Sequence, residues 1–150
     1  MIQKLIACSL VAVTALAVAQ QPAAVNVTNA WARAVLPGQV SSGGYMVLTA
    51  REPLKLVGAT SPAAGIVEIH QMKMDGDVMK MRAVDTLDLA VGKPLEFKPG
   101  GYHFMLMDLK KPFRAEVRIP LTLQFKDAQG QPRTLQVALP VAHAAPTPHK

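Results

Sequence analysis

The stretch that decides how this chain folds reads GGYHFMLM and occupies residues 100–107. Phe104 and Leu106 alternate there with His103 and Met105, which predicts a β-strand because successive side chains of a strand point to opposite faces. We expect Phe104 and Leu106 to pack into a core. His103 and Met105 then share the other face, where an imidazole and a thioether could bind one soft metal ion. The alternative is structural, since methionines commonly fill gaps in cores.

A second stretch, EIHQMKMDGDVMKMR at residues 68–82, alternates in the same way. Its central dipeptide, Asp75-Gly76, predicts a β-hairpin, because both loop positions of a type I′ turn require positive φ. With these two residues as the loop, His70 lies directly opposite Met81, and their Cβ atoms are about 4.5–5.5 Å apart. This turn rule predicts a second histidine–methionine pair without assuming any metal.

The first nineteen residues have the pattern of a cleaved secretory signal peptide. Lys4 precedes an apolar run that ends in the small residues Ala17-Val18-Ala19, so we expect cleavage after Ala19 and a periplasmic protein. The run is too short for a good membrane anchor, and no stable membrane insertion is expected. Cys8 follows a sequence similar to a lipoprotein box. We do not expect it to be lipidated, because the apolar run follows this cysteine instead of preceding it.

Composition excludes several classes of function. Cleavage removes Cys8, the only cysteine, so the mature chain has no disulfide, no thiolate zinc site and no cysteine-bound blue-copper site. The formal net charge is +6, but the sequence has no run of five or six like charges and few aromatic residues, so we expect no nucleic-acid binding. No pair of carboxylates and no serine motif suggests catalysis.

The rest of the sequence predicts one all-β domain over residues 20–141. Short alternating runs follow one another with frequent turn signals and without helical periodicity, which favours a β-sandwich. The tail, residues 142–150, is rich in alanine and proline and is expected to be disordered. His143 and His149 in this tail could hold a second, weaker ion such as Cu(II), or could simply be solvated.

The four candidate ligands have a fixed spacing: His70, ten residues, Met81, twenty-one residues, His103, one residue, Met105. This spacing resembles the H-x10-M-x21-H-x-M signature of the periplasmic copper chaperone family called PCuAC. The resemblance extends over about residues 25–141, through AWAR at 30–33, GYM at 44–46, VEIH at 67–70 and GGYHFML at 100–106. The chain departs from it at Arg114-Ala115-Glu116, where the family usually has a Gly-Asp turn.

The resemblance implies a cupredoxin-like β-sandwich that lacks the cysteine of blue-copper proteins. It also implies that His70, Met81, His103 and Met105 bind one Cu(I) per chain. The ion would be delivered for cytochrome c oxidase assembly and copper homeostasis, with an oxidase subunit or another copper carrier as the acceptor.

The chemistry of the residues agrees with this expectation. Thioethers are soft, neutral ligands that favour Cu(I) over Cu(II) and over zinc. Met72, Met79 and Met107 lie on the same predicted faces and could shield the ion or act as alternative ligands. A four-ligand, sulfur-rich site leaves no open position for a substrate, so we expect a carrier and not an enzyme. Two alternatives stay open: a periplasmic copper storage or resistance protein, and an adhesion-type β-sandwich with incidental histidines and methionines.

Overall fold

The computed structural model describes residues 22–147, and every regular element in that range is a β-strand. No helix long and apolar enough to cross a bilayer occurs among these residues. The predicted signal peptide, Cys8 and His149 lie outside the described range. The strands are β1 (Val25–Arg33), β2 (Ser41–Ala50), β3 (Leu54–Thr60), β4 (Ala64–Asp75), β5 (Val78–Ala83), β6 (Leu87–Leu89), β7 (Leu95–Phe97), β8 (Tyr102–Leu109), β9 (Arg118–Asp127) and β10 (Pro132–Ala142).

The strands follow the hydrogen-bonded order β5-β4-β8-β7-β2-β1-β10-β9-β3-β6. The first half of this order runs from β5 to β1, and the second half runs from β10 to β6. The halves are joined by β1 and β10, which run parallel with Ala32 opposite Val141. The order folds back on itself, because β3 and β4 contact each other although they are far apart in it. Buried side chains from both halves form one core, which contains Phe104 of β8 and Phe125 of β9. The predicted all-β sandwich is confirmed.

The strands of the first half separate a core face from an outer face. Ile69, Phe104 and Leu106 are buried and belong to the core. His70 and His103 alternate with them and are paired directly across β4 and β8, so they lie on the outer face. This assignment of faces is the one that the alternation in the sequence predicts.

Strand β2 contains a pair of glycines in its interior. Paired glycines commonly mark a turn or loop, but β2 starts at Ser41 and includes both Gly43 and Gly44. Gly43 pairs with Met105 of β8, and a side chain at this position would collide with the hydroxyl of Tyr45. Gly44 faces the core, where a Cβ would come within 3.5 Å of Phe104. The two glycines therefore permit close packing on both faces and do not end a strand.

The departure from the family pattern at residues 114–116 forms a tight turn before β9. The amide of Val117 donates a hydrogen bond to the carbonyl of Arg114 at 3.3 Å. Glu116 has φ of 72°, in the left-handed region that favours glycine. The chain thus keeps the turn without the glycine that would adopt this conformation most easily.

Candidate metal site

The β4–β5 hairpin carries the first histidine, and its register differs from the predicted one. The loop consists of Gly76 and Asp77, because Asp75 pairs with Val78. Gly76 has φ of 63° and Asp77 is not among the residues with positive φ, which fits a type II′ turn with glycine at its first central position. The predicted Asp75-Gly76 loop is therefore wrong by one residue.

This shift changes the partner of each residue but not its face. Met81 lies opposite Met72, and the residue opposite His70 is Ala83. Moving a two-residue loop by one position displaces the pairing by two residues, which is one full period of the strand. The predicted direct pair of His70 and Met81 is therefore wrong, although both side chains belong to the same face of the sheet.

The two histidines form the centre of the site. His70 and His103 are direct cross-strand partners, and their rings meet edge to face with centroids 5.7 Å apart. His103 is only 5% exposed. Burial lowers the pKa of His103 below its ordinary value of 6.5, the hydrogen bond with the carbonyl of Gly101 opposes this shift, and the neighbouring His70 adds to it. The ring of His103 is therefore held in its neutral, metal-binding form.

A carboxylate determines which nitrogen of His70 carries the proton. Nε2 of His70 lies 2.7 Å from Oε2 of Glu68. A carboxylate only accepts hydrogen bonds, so Nε2 donates and the neutral ring has its lone pair on Nδ1. This Nδ1 is buried and has no hydrogen-bond partner among the described residues. An unpaired buried acceptor is costly, and a metal ion would satisfy it.

A backbone carbonyl determines which nitrogen of His103 carries the proton. Its Nδ1 donates to the carbonyl oxygen of Gly101 at 3.1 Å, so the lone pair of the neutral ring lies on Nε2. Both imidazoles are thus fixed through one nitrogen and free to coordinate through the other, an arrangement that is typical of metal-binding histidines.

The two predicted thioether ligands flank the histidine pair on opposite sides. Met105 lies two residues beyond His103, opposite Glu68 of β4 and Gly43 of β2. Met81 lies on the hairpin side, opposite Met72. In a flat sheet the Cα atoms of Met81 and Met105 would be about 16 Å apart, because the two residues are separated by two strand spacings across the sheet and by four residues along the strands. Both thioethers can reach one ion only if the hairpin curls toward β8.

Two further residues lie on the face of this site outside the four predicted ligands, and one of them, Met72, was expected only to shield the ion or to act as an alternative ligand. Met72 is two residues from His70 on the central strand, so it lies nearer to both histidines than Met81 does. Glu68 fixes the tautomer of His70. Alternation in the sequence predicts that both side chains lie on the face of His70. The incorrect hairpin register, however, paired Met81 with His70 and so gave no sign that Met72 is nearer to the histidines than Met81 is.

Other candidate ligands are not brought to this site. His143 is exposed after the end of β10, and its predicted role in binding Cu(II) stays a prediction. Within residues 22–147 no group of three or more histidine, cysteine, aspartate or glutamate side chains could hold a metal ion. The further soft donors on the face of the histidine pair are the thioethers of Met72, Met81 and Met105.

A comparison with protein families matches residues 25–141 of the chain to a family described as "Putative lipoprotein LpqE-like". The chain belongs to the LpqE-like family. One LpqE-like relative, the "Putative lipoprotein Lxx21020" of Leifsonia xyli, is 34% identical over 123 residues, which cover 81% of this chain and 72% of the relative. The description as a lipoprotein indicates an exported protein, while cleavage after Ala19 and the state of Cys8 stay predictions.

Solved structures extend this relationship. The solution structure of apo-DR1885 from Deinococcus radiodurans is 33% identical to the LpqE-like chain with a TM-score of 0.58, and covers 94% of this chain and 95% of that one. The Cu(I) form of the same protein is 31% identical with a TM-score of 0.58, over 83% of this chain and 80% of that one.

A third solved structure, a copper-bound PCuAC domain from PmoF2, is 23% identical with a TM-score of 0.58 and covers 79% of this chain and 94% of that domain. These likenesses confirm the predicted cupredoxin-like β-sandwich for the LpqE-like chain. The four-ligand set stays a prediction.

Proposed function

We propose that this protein is an exported Cu(I) carrier of the PCuAC type. It binds one Cu(I) at His70, His103, Met105 and Met81, and it passes the ion to an acceptor in the periplasm. The acceptor is a protein with an incomplete copper centre, such as a cytochrome c oxidase subunit under assembly, or another copper carrier.

The observation that carries this proposal is the state of the two imidazoles. One nitrogen of each ring is already hydrogen-bonded, to Glu68 or to the carbonyl of Gly101. Nδ1 of His70 is buried without a partner among the described residues. An adhesion-type sandwich has no reason to pair two histidines that each keep one ring nitrogen available, whereas a metal carrier requires it.

The remaining donors select the metal. Thioethers are soft ligands, and together with two neutral imidazoles they leave the full charge of the ion uncompensated. A single positive charge is far easier to retain in such a site than a double one. The site therefore favours Cu(I) over Zn(II) and over Cu(II). The Cu(I) form of DR1885, which is 31% identical to this chain, supports the same choice.

The exposure of the site suits transfer more than catalysis or storage. Met81 is 47% exposed and lies on the edge hairpin, so ligands of an acceptor can approach from that side. Occupation of four positions by protein donors leaves none for a substrate, which is why we propose carriage and not an enzymatic reaction.

A competition titration of Cu(I) against a calibrated chromogenic chelator tests the proposal. We expect one tight equivalent, which His103→Ala and Met105→Leu weaken strongly. His143→Ala and Met46→Leu are matched controls, since His143 is exposed on the tail and Met46 is buried in the core. Both controls should bind Cu(I) as the unmodified protein does.

X-ray absorption at the copper edge tests the donor set in the same samples. We expect both nitrogen and sulfur scatterers, with fewer sulfur scatterers in Met105→Leu. A spectrum with only nitrogen and oxygen neighbours would remove the thioethers from the site. Equal affinity for Zn(II) would contradict the proposed selection of a soft monovalent ion.

A further inference from the structure

The β4–β5 hairpin carries a second set of potential soft ligands that extends away from the histidine pair. Met72 pairs with Met81, and Met74 pairs with Met79, so four thioethers occupy two successive rungs on one face. We call these four residues the thioether ladder, with Met72–Met81 as its inner rung and Met74–Met79 as its outer rung.

A role in core packing does not explain why methionines occupy these positions, because most of the ladder is exposed. Met74, Met79 and Met81 are 54%, 44% and 47% exposed. Every residue of β5 is exposed, and no methionine outside the hairpin is among the exposed large hydrophobic residues of the described chain. Flexible, polarisable side chains that are concentrated at one exposed place indicate a role in binding.

The pairing brings the thioethers close enough to share an ion. Directly opposed Cβ atoms are about 4.5–5.5 Å apart, and successive rungs are about 6.6 Å apart along each strand. A methionine side chain has three rotatable bonds, so its sulfur can reorient to meet an ion between the strands. The inner rung adjoins His70, two residues away on β4.

The opposite face of the same hairpin limits which ion can bind. Lys73 pairs with Lys80, and Gln71 pairs with Arg82. Asp75 forms an ion pair with Lys80 on this face, so Lys73 and Arg82 leave it with a net positive charge. Its positive charge disfavours a divalent ion about twice as much as a monovalent one, because Coulomb energy is proportional to charge. Neutral sulfur donors above a cationic face therefore select a soft, monovalent ion.

We propose that the outer rung, together with Met72 of the inner rung, forms a second Cu(I) site at which the ion enters before it reaches the histidine pair and Met81. The identity of the ion rests on the proposed function; the presence of a soft-metal site on the hairpin does not. Transfer from the outer rung to the inner rung exchanges one thioether for another. The oxidation state of copper does not change, and no proton moves because thioethers are neutral.

The double variant Met74→Leu/Met79→Leu tests this inference in the full chain. It removes only the outer rung and retains apolar side chains of similar size. We expect loss of a weaker second equivalent of Cu(I) and about tenfold slower loading of the tight site from a Cu(I)–chelator complex, comparable to a barrier increase of about 1.4 kcal/mol. The affinity of the tight site should not change. Met46→Leu, which changes a methionine buried in the core and outside the hairpin, is the matched control.

Titration with Ag(I) while the methionine methyl groups are observed by NMR locates the ion directly. In His70→Ala/His103→Ala, the ladder methyl resonances should still shift, which separates the ladder from the histidine site. Unchanged ladder resonances, or wild-type loading rates in the outer-rung variant, would overturn the inference while the proposed carrier function stands. Absence of tight Cu(I) binding to the unmodified chain, with ladder shifts retained, would refute the proposed function and not the ladder.

Discussion

Glu68 acts on the proposed metal site through a single proton. Its carboxylate accepts the Nε2 hydrogen of His70 and so leaves Nδ1 as the nitrogen that is available to coordinate an ion. We expect Glu68→Ala to lower Cu(I) affinity by about tenfold, since partners that orient metal-binding histidines typically matter by that factor or more. The measurement is the competition titration, with circular dichroism to show that the fold is intact.

Glu68→Gln is the informative companion variant. Glutamine keeps a carbonyl oxygen that can accept the same hydrogen bond, so its loss should be smaller than that of Glu68→Ala. Equal losses in the two variants would show that the charge of Glu68 matters and that the hydrogen bond does not.

Glu116 is a residue whose replacement should stabilise the protein. Its φ of 72° strains any residue with a Cβ atom by about 1–2 kcal/mol, and glycine would remove this strain. Glycine also has more conformational freedom in the unfolded chain, which cancels about half of that gain. We therefore expect Glu116→Gly to raise the free energy of unfolding by about 0.5–1 kcal/mol. Urea unfolding measures this change.

The adjacent Ala115 supplies the control for that variant. It is not among the residues with positive φ, so Ala115→Gly should lower the free energy of unfolding by a similar amount. If both substitutions destabilised the protein, the side chain of Glu116 would have to contribute a contact that exceeds its backbone strain.

The buried ring of His103 makes the stability of the metal-free protein depend on pH. Because burial lowers its pKa below 6.5, the unfolded chain binds a proton just below that pH while the folded chain does not. The free energy of unfolding should therefore decrease as the pH falls below 6.5, by at most about 1.4 kcal/mol per pH unit for one proton. Urea unfolding on both sides of pH 6.5 measures this slope. His103→Gln should have a flatter profile, and an unchanged slope would assign the effect to another group.

At the scale of single elements, the hairpin turn determines where the thioethers lie. Gly76 has φ of 63°, and a Cβ at this position would meet no atom within 4 Å, so only its backbone conformation requires glycine. We expect Gly76→Ala to strain the turn by about 1–2 kcal/mol. Since no residue of β5 is buried, the strain should open the hairpin locally, with faster amide exchange over β5 and about three- to tenfold weaker Cu(I) binding.

Gly92 provides a matched substitution elsewhere in the fold. It also has positive φ, 71°, and space for a Cβ, but it lies outside the strands of the hairpin and takes no part in their pairing. Gly92→Ala should introduce similar strain without any effect on Cu(I) affinity. Weaker copper binding in both variants would mean that global destabilisation, and not the hairpin, controls the site.

The elements that the sequence predicted correctly are those with strict alternation against a core. Phe104 and Leu106 alternate with His103 and Met105, and the burial of the first pair leaves only one choice of face. The hairpin register was not determined in this way, because β5 buries nothing and Asp-Gly and Gly-Asp are both acceptable loops. The three-residue strand β6 is too short to show any period.

On the scale of the whole molecule, a bound ion would connect the neighbouring strands β8, β4 and β5. Ligand binding to the folded state alone stabilises it by about 2.7 kcal/mol when free Cu(I) is one hundred times its dissociation constant. We expect thermal unfolding to shift upward with Cu(I) and not with Zn(II). Amide exchange should slow most in the exposed hairpin. Stabilisation by Zn(II) of the same size would contradict the selectivity of the thioether donors.

The sequence predicts which residues form the candidate site more completely than it predicts their geometry. The residue types and the shared face of His70, His103 and Met105 follow from alternation alone. The hydrogen bond from His70 to Glu68, and the proximity of Met72, depend on side-chain rotamers and on a two-residue displacement that no local pattern specifies.

The parallel pairing of β1 with β10 has a consequence for the order in which the protein can assemble. Ala32 and Arg33 pair with Val141 and Ala142, so the first strand of the described domain needs the last one as a partner. Until β10 is in place, β1 lacks one of its two neighbours and the sheet order is interrupted between its halves. Contacts between residues so distant in sequence also form slowly. The domain can therefore complete its sheet only after nearly all of its strands are available, which leaves its first strand open to other partners for most of the folding process.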